Sequence, residues 1–213
     1  MNKLSLCITC FDGDFHFLDN LLESFKQQTK NPDEIIISCS GLNKSLLSKY
    51  DSIIINNVVV PIKIVCKEKR HYQSVARNLG AKKSSNDIIM FFDVDDIPHP
   101  QKIEITKDFF QSFPNTDILM HSYTNDVKNF QDIIDYDIYD KFIKSDLGIK
   151  VDNNKNLPIH HAHMTCRLHV FNNIKFLEDK SFYRIEDSVF MSESLDFGLD
   201  IKYLDAELVK YTS

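Results

Sequence analysis

Glycine is scarce in this chain: five residues in 213, and none of them arranged as G-x-G-x-x-G or G-x-x-x-x-G-K-[ST]. That excludes the usual dinucleotide fingerprint and the P-loop, both of which cradle phosphates on glycine-rich turns. Long hydrophobic runs are missing as well. None approaches the roughly 18 residues of a membrane span. Met1 to Ile8 carries one lysine and no long apolar stretch, so neither a transmembrane segment nor a secretory signal is expected. Basic blocks are absent: the formal net charge is −6, with Lys and Arg scattered. General affinity for nucleic acid or an anionic membrane is therefore not expected. A disulfide framework is lacking too. The five cysteines are odd in number and widely spread. Cys7 and Cys10 form a C-x-x-C, but within an expected strand residues three apart point to opposite faces and cannot share a zinc. We read the cysteines as small apolar core residues and the protein as cytoplasmic.

What the chain does have is the run Ile88-Ile89-Met90-Phe91-Phe92 followed by Asp93-Val94-Asp95-Asp96. An apolar run of this length with polar bounds reads as a buried strand. Three carboxylates within four residues repel one another unless a cation joins them. Hard oxygen donors suit Mg²⁺ or Mn²⁺, which commonly also takes phosphate oxygens of a substrate. The plain alternative is an acidic turn after a core strand.

The first 125 residues alternate strand and helix. Strands are expected at Leu4–Cys10, Glu34–Ser38, Ile62–Cys66, Ile88–Phe92 and Asp117–Ser122. Helices are expected from Phe15 to about Gln28, over Ser74–Lys83 and over Gln101–Phe113, with Lys44–Ile55 partly helical. Such alternation predicts an α/β fold with a mostly parallel, doubly wound sheet, in which ligands bind beyond the carboxyl ends of the strands. The acidic triplet lies at such an end. Asn125 to Leu157 is polar and weakly periodic, the mark of an insertion or the start of a smaller lobe. Beyond it, Met164–Phe171 reads as strand or short helix, Ile185–Leu195 as helix, and Leu199–Leu204 and Glu207–Tyr211 as terminal strands. This divides the chain into a half at 1–125 and a second at 126–213 within one compact domain.

Four segments together resemble family 2 glycosyltransferases of the GT-A fold. They are Leu4 to Phe11 with the helix end Ser24-Phe25-Lys26-Gln27-Gln28-Thr29, then Ser74-Val75-Ala76-Arg77-Asn78-Leu79-Gly80, then Asn86 to Asp96, and finally Arg184-Ile185-Glu186-Asp187-Ser188-Val189-Phe190. The resemblance implies an inverting hexosyltransferase. Its 1–125 half would bind a nucleotide sugar, UDP-linked first and GDP-linked second, and its 126–213 half a glycan, protein or lipid acceptor. It implies Mn²⁺ or Mg²⁺ on Asp95, with Asp93 and Asp96. Donor contacts would come from Thr9, Phe11, Ser40, Arg77, Asn78, Asp93 and Val94. The acceptor hydroxyl would lose its proton to Asp187, with Glu186 second; from the residues alone these two acids equally suit a helix N-terminus. Arg77 could pair with Asp93 or with a phosphate.

The chain departs from that pattern in places. The family's acidic stretch after the second strand is here Ser38-Cys39-Ser40-Gly41-Leu42-Asn43, without a carboxylate. The residues after the first strand are Asp12-Gly13-Asp14. His160, His161 and His163 suggest a polar loop near an acceptor pocket, or one further metal ligand. Two other functions share the motif. A haloacid-dehalogenase-type phosphatase would use Asp93 as nucleophile with Asp95, though three strands precede the motif here. A non-catalytic nucleotide-sugar-binding module would keep the scaffold alone.

Overall fold

The computed structural model describes residues 2–42, 44–125, 130, 132, 149–150 and 164–212. His160, His161 and His163 lie outside them, as does most of the 125–157 stretch.

The elements are β1 (Leu4–Phe11), a 3₁₀ turn (Phe15–Phe17), α1 (Leu18–Phe25), β2 (Glu34–Ser40), β3 (Ser52–Ile55), β4 (Val58–Lys67), α2 (Gln73–Lys83) and β5 (Ile88–Asp93). There follow β6 (Ile97–Pro98), α3 (Lys102–Ser112), β7 (Ile118–Thr124), β8 (Ile149–Lys150), β9 (Thr165–Arg167), α4 (Glu186–Asp196) and β10 (Ile201–Lys210). The strands form one sheet in the order β3-β4-β2-β1-β5-β9-β7-β10-β6, with β8 on β10. β4, β2, β1 and β5 run parallel, as do β7 and β10, while β9 is antiparallel to both of its neighbours.

Alternation along the central strands builds two cores. Leu4, Leu6, Ile8 and Cys10 of β1 and Ile88, Met90 and Phe92 of β5 pack with Leu18, Leu21, Leu22 and Phe25 of α1 and with Ile103, Phe109 and Phe110 of α3. Cys7, Ile89 and Phe91 face the other way, onto Ala81 of α2 and Phe190 and Met191 of α4. Cys7 and Cys10 thus belong to opposite faces, and all five cysteines are free thiols. Burying each Leu, Ile or Phe contributes about 1.5–3 kcal/mol, so these two layers fix the sheet's pitch against its helices. α2 lies so close to β1 that a Cβ on Gly80 would stand 2.1 Å from Cys7 Sγ. Here glycine is required by proximity, not by backbone angle.

Three expectations need correction. Lys44–Ile55 holds a 3₁₀ turn at Lys44–Leu47 but then strand β3, which pairs with β4 through Asn56 and Asn57 at φ 49° and 61°. Two successive left-handed residues make a tight hairpin turn that asparagine tolerates. The first helix is shorter than its periodicity suggests, because Phe15–Phe17 is 3₁₀ and α1 ends at Phe25. The two terminal strands are one: β10 carries register shifts at Leu204/Glu207 and Glu207/Val209, so bulges absorb its polar interruption.

Candidate active site

Parallel register brings four strand ends together. Phe11 of β1 stands beside Ser40 of β2, Ser40 beside Lys67 of β4, and Thr9 beside Asp93 of β5. Asp93 is the last residue of β5 and is 8% exposed; its Oδ1 accepts a 2.5 Å hydrogen bond from Thr9 Oγ1. One carboxylate oxygen from each of Asp93, Asp95 and Asp96 fits within a sphere where all lie no more than 4.8 Å apart. Asp95 is exposed, and Asp96 is buried.

The electrostatics of the triplet are unfavourable without a cation. Burial and the neighbouring Asp93 push Asp95 above the usual carboxylate range. Burial, then the charges of Asp93 and Asp95, push Asp96 up to about 8. Asp96 Oδ1 accepts from the Thr212 amide at 3.2 Å, whereas its Oδ2 is buried with no partner among the described residues. Three clustered carboxylates, one with a buried oxygen that has no hydrogen-bond partner among the described residues, make a donor set that a hard divalent ion fits. Thr212, at the exit of β10, also donates its hydroxyl to the Asp95 carbonyl. Below the triplet lies Lys102, fully buried, its ammonium against His121 Nε2 and 5.7 Å from the Phe92 ring. Burial lowers it to about 7, with Asp96 opposing. Neither Thr212 nor Lys102 shows any local sequence signal.

Arg77 connects this triplet to α4. Its side chain has no exposed surface. Nη1 donates to Glu186 Oε1 at 2.8 Å, Nη2 donates to Gln73 Oε1 at 3.2 Å and stands 3.8 Å from Asp93 Oδ1, and the guanidinium lies 5.4 Å from the Phe176 ring. Glu186, 4% exposed, is thereby taken up by an ion pair. Asp187 is the more accessible acid of the pair, in the first turn of α4, its Oδ1 accepting from Ser188 N at 2.8 Å. Immediately before it, Tyr183 and Ile185 are exposed and Arg184 holds φ 75°. A non-glycine residue in that region is strained by about 1–3 kcal/mol.

A cleft of about 530 Å³ opens beside these strand ends, lined by Phe11, Asp14, Arg70, His71, Tyr72, Gln73 and Tyr183. Arg70 lies 5.9 Å from the Phe11 ring, and the Tyr72 and Tyr183 rings meet at 5.4 Å. Ser40 does not face this cleft freely. Its hydroxyl accepts from His71 N at 3.1 Å and donates to His71 O at 3.3 Å, fastening the cleft's loop. Val94 is 3% exposed and belongs to the core. Asn78 is elsewhere: its amide pairs with the Phe176 backbone at 2.8 and 3.0 Å and with Glu178 at 2.9 Å. It borders a different cavity, of about 540 Å³, lined by α2 and by residues of the 168–178 segment and by none of the acids of the triplet.

A sheet of this order with acids at the carboxyl end of β5 is the GT-A glycosyltransferase fold, and solved structures agree. S. aureus TarS 1–349 in complex with UDP-GlcNAc superposes with a TM-score of 0.74 at 17% identity, over 99% of this chain and 58% of that one. The mannosyltransferase PcManGT from Pyrobaculum calidifontis, in complex with GDP-Man and Mn²⁺, gives 0.63 at 12% identity over 97% and 55%. The sequence model of Glycosyl transferase family 2 matches residues 5–174, and the chain belongs to that family. An uncharacterized glycosyltransferase of Haemophilus influenzae is 30% identical over 103 residues, 47% of this chain and 32% of that protein. The chain thus spans about a third of that relative's length. These findings do not favour the phosphatase reading. Among the described residues no helix is long and apolar enough to cross a membrane.

Proposed function

We propose that this chain transfers a hexosyl group from a nucleotide-diphosphate sugar, UDP-linked in preference to GDP-linked, to an acceptor hydroxyl with inversion, in the cytoplasm. The observation that carries this reading is the carboxylate triplet at the end of β5, whose Asp96 has a buried, unpartnered oxygen. Asp95 and Asp96, with Asp93, would hold Mg²⁺ or Mn²⁺. The chemistry a divalent ion supplies when bound there is the offsetting of negative charge on the departing diphosphate. Thr9 and Arg77 orient Asp93. The aromatic cleft of Phe11, Tyr72 and Tyr183 would take the nucleoside, and the strained turn at Arg184 with Ile185 would face the acceptor.

In this reading residues 1–125 bind the donor and 126–213 the acceptor, a glycan, protein or lipid. Asp187 is the base: it is accessible, whereas Glu186 is committed to Arg77. A carboxylate within hydrogen-bond reach of the attacking hydroxyl contributes about 10²–10⁴-fold. The test is Asp187→Asn, assayed for transfer and, separately, for donor binding by calorimetry. We expect unchanged donor affinity with transfer reduced at least about a hundredfold. Full transfer in the variant would overturn the role of Asp187.

A further inference from the structure

The cleft beside β1 has an unusual lining. Phe11, Tyr72 and Tyr183 supply aromatic surface, Arg70 stands over Phe11, and one carboxylate, Asp14, joins them. Planar rings bind such walls by stacking, without regard to which ring it is. Discrimination must come from a polar group at the edge. Asp14 has the needed freedom: it is half-buried on the turn after β1, and its carboxylate makes no hydrogen bond or ion pair among the described residues. Its neighbours do not share that freedom. Asp12 accepts from Gly13 N at 3.0 Å and pairs with Arg70 at 3.6 Å. Ser40 is engaged twice by His71, and Gly41 offers no side chain. Asp14 also lies close enough to the triplet for its charge to act on Asp95, so one ligand could span both.

Resting on the donor reading above, we propose that Asp14 selects the donor's nucleobase, by accepting the ring lactam N–H that uracil and guanine carry. An ionised carboxylate only accepts hydrogen bonds. Uracil N3 and guanine N1 present an N–H at that edge. Cytosine N3 presents a lone pair, which would face the carboxylate unpaired and repelled. A site built to bond one edge rejects the ring that lacks it far more strongly than an apolar pocket can.

The test is calorimetry with Mn²⁺ on four probes: UDP, GDP, CDP and inorganic pyrophosphate. Wild type is expected to bind UDP or GDP at least tenfold more tightly than CDP, and whichever of the two binds better identifies the base. Asp14→Ala is expected to bring that nucleotide to the CDP level and leave pyrophosphate unchanged. Asp14→Asn keeps an acceptor oxygen and is expected to retain part of the preference. A preference that survives Asp14→Ala would overturn this inference and leave the donor reading standing. Equal loss of pyrophosphate would also overturn it, by assigning Asp14 to the cation. Failure of wild type to bind any of the three nucleotides would overturn both.

Discussion

The guanidinium of Arg77 lies 2.8 Å from Glu186, 109 positions away in sequence, and 3.8 Å from Asp93. One buried cation therefore joins the end of β5 to the start of α4. Removing one partner of a buried pair leaves the other charge uncompensated, which costs about 3–5 kcal/mol. Arg77→Ala is expected to lose stability of that order in urea unfolding, and Arg77→Lys to recover only part of it, because an ammonium cannot reproduce the planar fork. A loss below about 1 kcal/mol would place the bridge among the weak ones.

A second buried carboxylate sets a pH dependence. Glu34 is 3% exposed and receives Ser5 Oγ at 2.6 Å, Ser85 N at 2.7 Å, Ser85 Oγ at 2.8 Å and Lys63 at 2.5 Å. Burial alone would raise it. The ion pair with Lys63 and the bonds from Ser5 and Ser85 outweigh burial and hold it below its ordinary value of 4.5. A carboxylate depressed in the folded state contributes stability above its unfolded pKa, and that contribution fades as pH falls through the folded one. Wild type should therefore exceed Glu34→Gln in stability at pH 7, with the gap closing below about pH 4.5. A gap that widened on acidification would contradict the assignment.

Gly80 is expected to admit no side chain. With a Cβ 2.1 Å from Cys7 Sγ, α2 must shift away from β1. Gly80→Ala should cost about 1–3 kcal/mol by overpacking, and Gly80→Ala combined with Cys7→Ala should recover most of that. Equal costs for the single and double variants would show that the contact is not the cause.

These relationships were unequally visible in the sequence. β5 and its acids were legible because an unbroken apolar run ending in Asp93 has few other readings. The helical spacing of Leu18, Leu21, Leu22 and Phe25 marked α1, though not its start: Phe15 continues that spacing, yet it lies in the 3₁₀ turn Phe15–Phe17, which buries no residue. The β3–β4 hairpin was hidden because Asn56-Asn57 lacks the glycine that usually marks such a turn. Pro98 pairs with Val209 at the sheet's edge, where a missing N–H is tolerated. At the site, Asp93, Asp95 and Asp96 are brought together as neighbours in sequence. The partnership of Arg77 with Glu186, the grip of Thr212 on Asp96 and the burial of Lys102 depend on chain returns that no local pattern encodes.

Calorimetric titration of UDP- and GDP-sugars, with Mn²⁺ and then with EDTA, tests the cation reading most directly. Binding is expected to require the metal, and Asp95→Ala is expected to weaken it at least tenfold, about 1.4 kcal/mol. Nucleotide-sugar binding indifferent to both EDTA and Asp95→Ala would contradict a metal site at the end of β5.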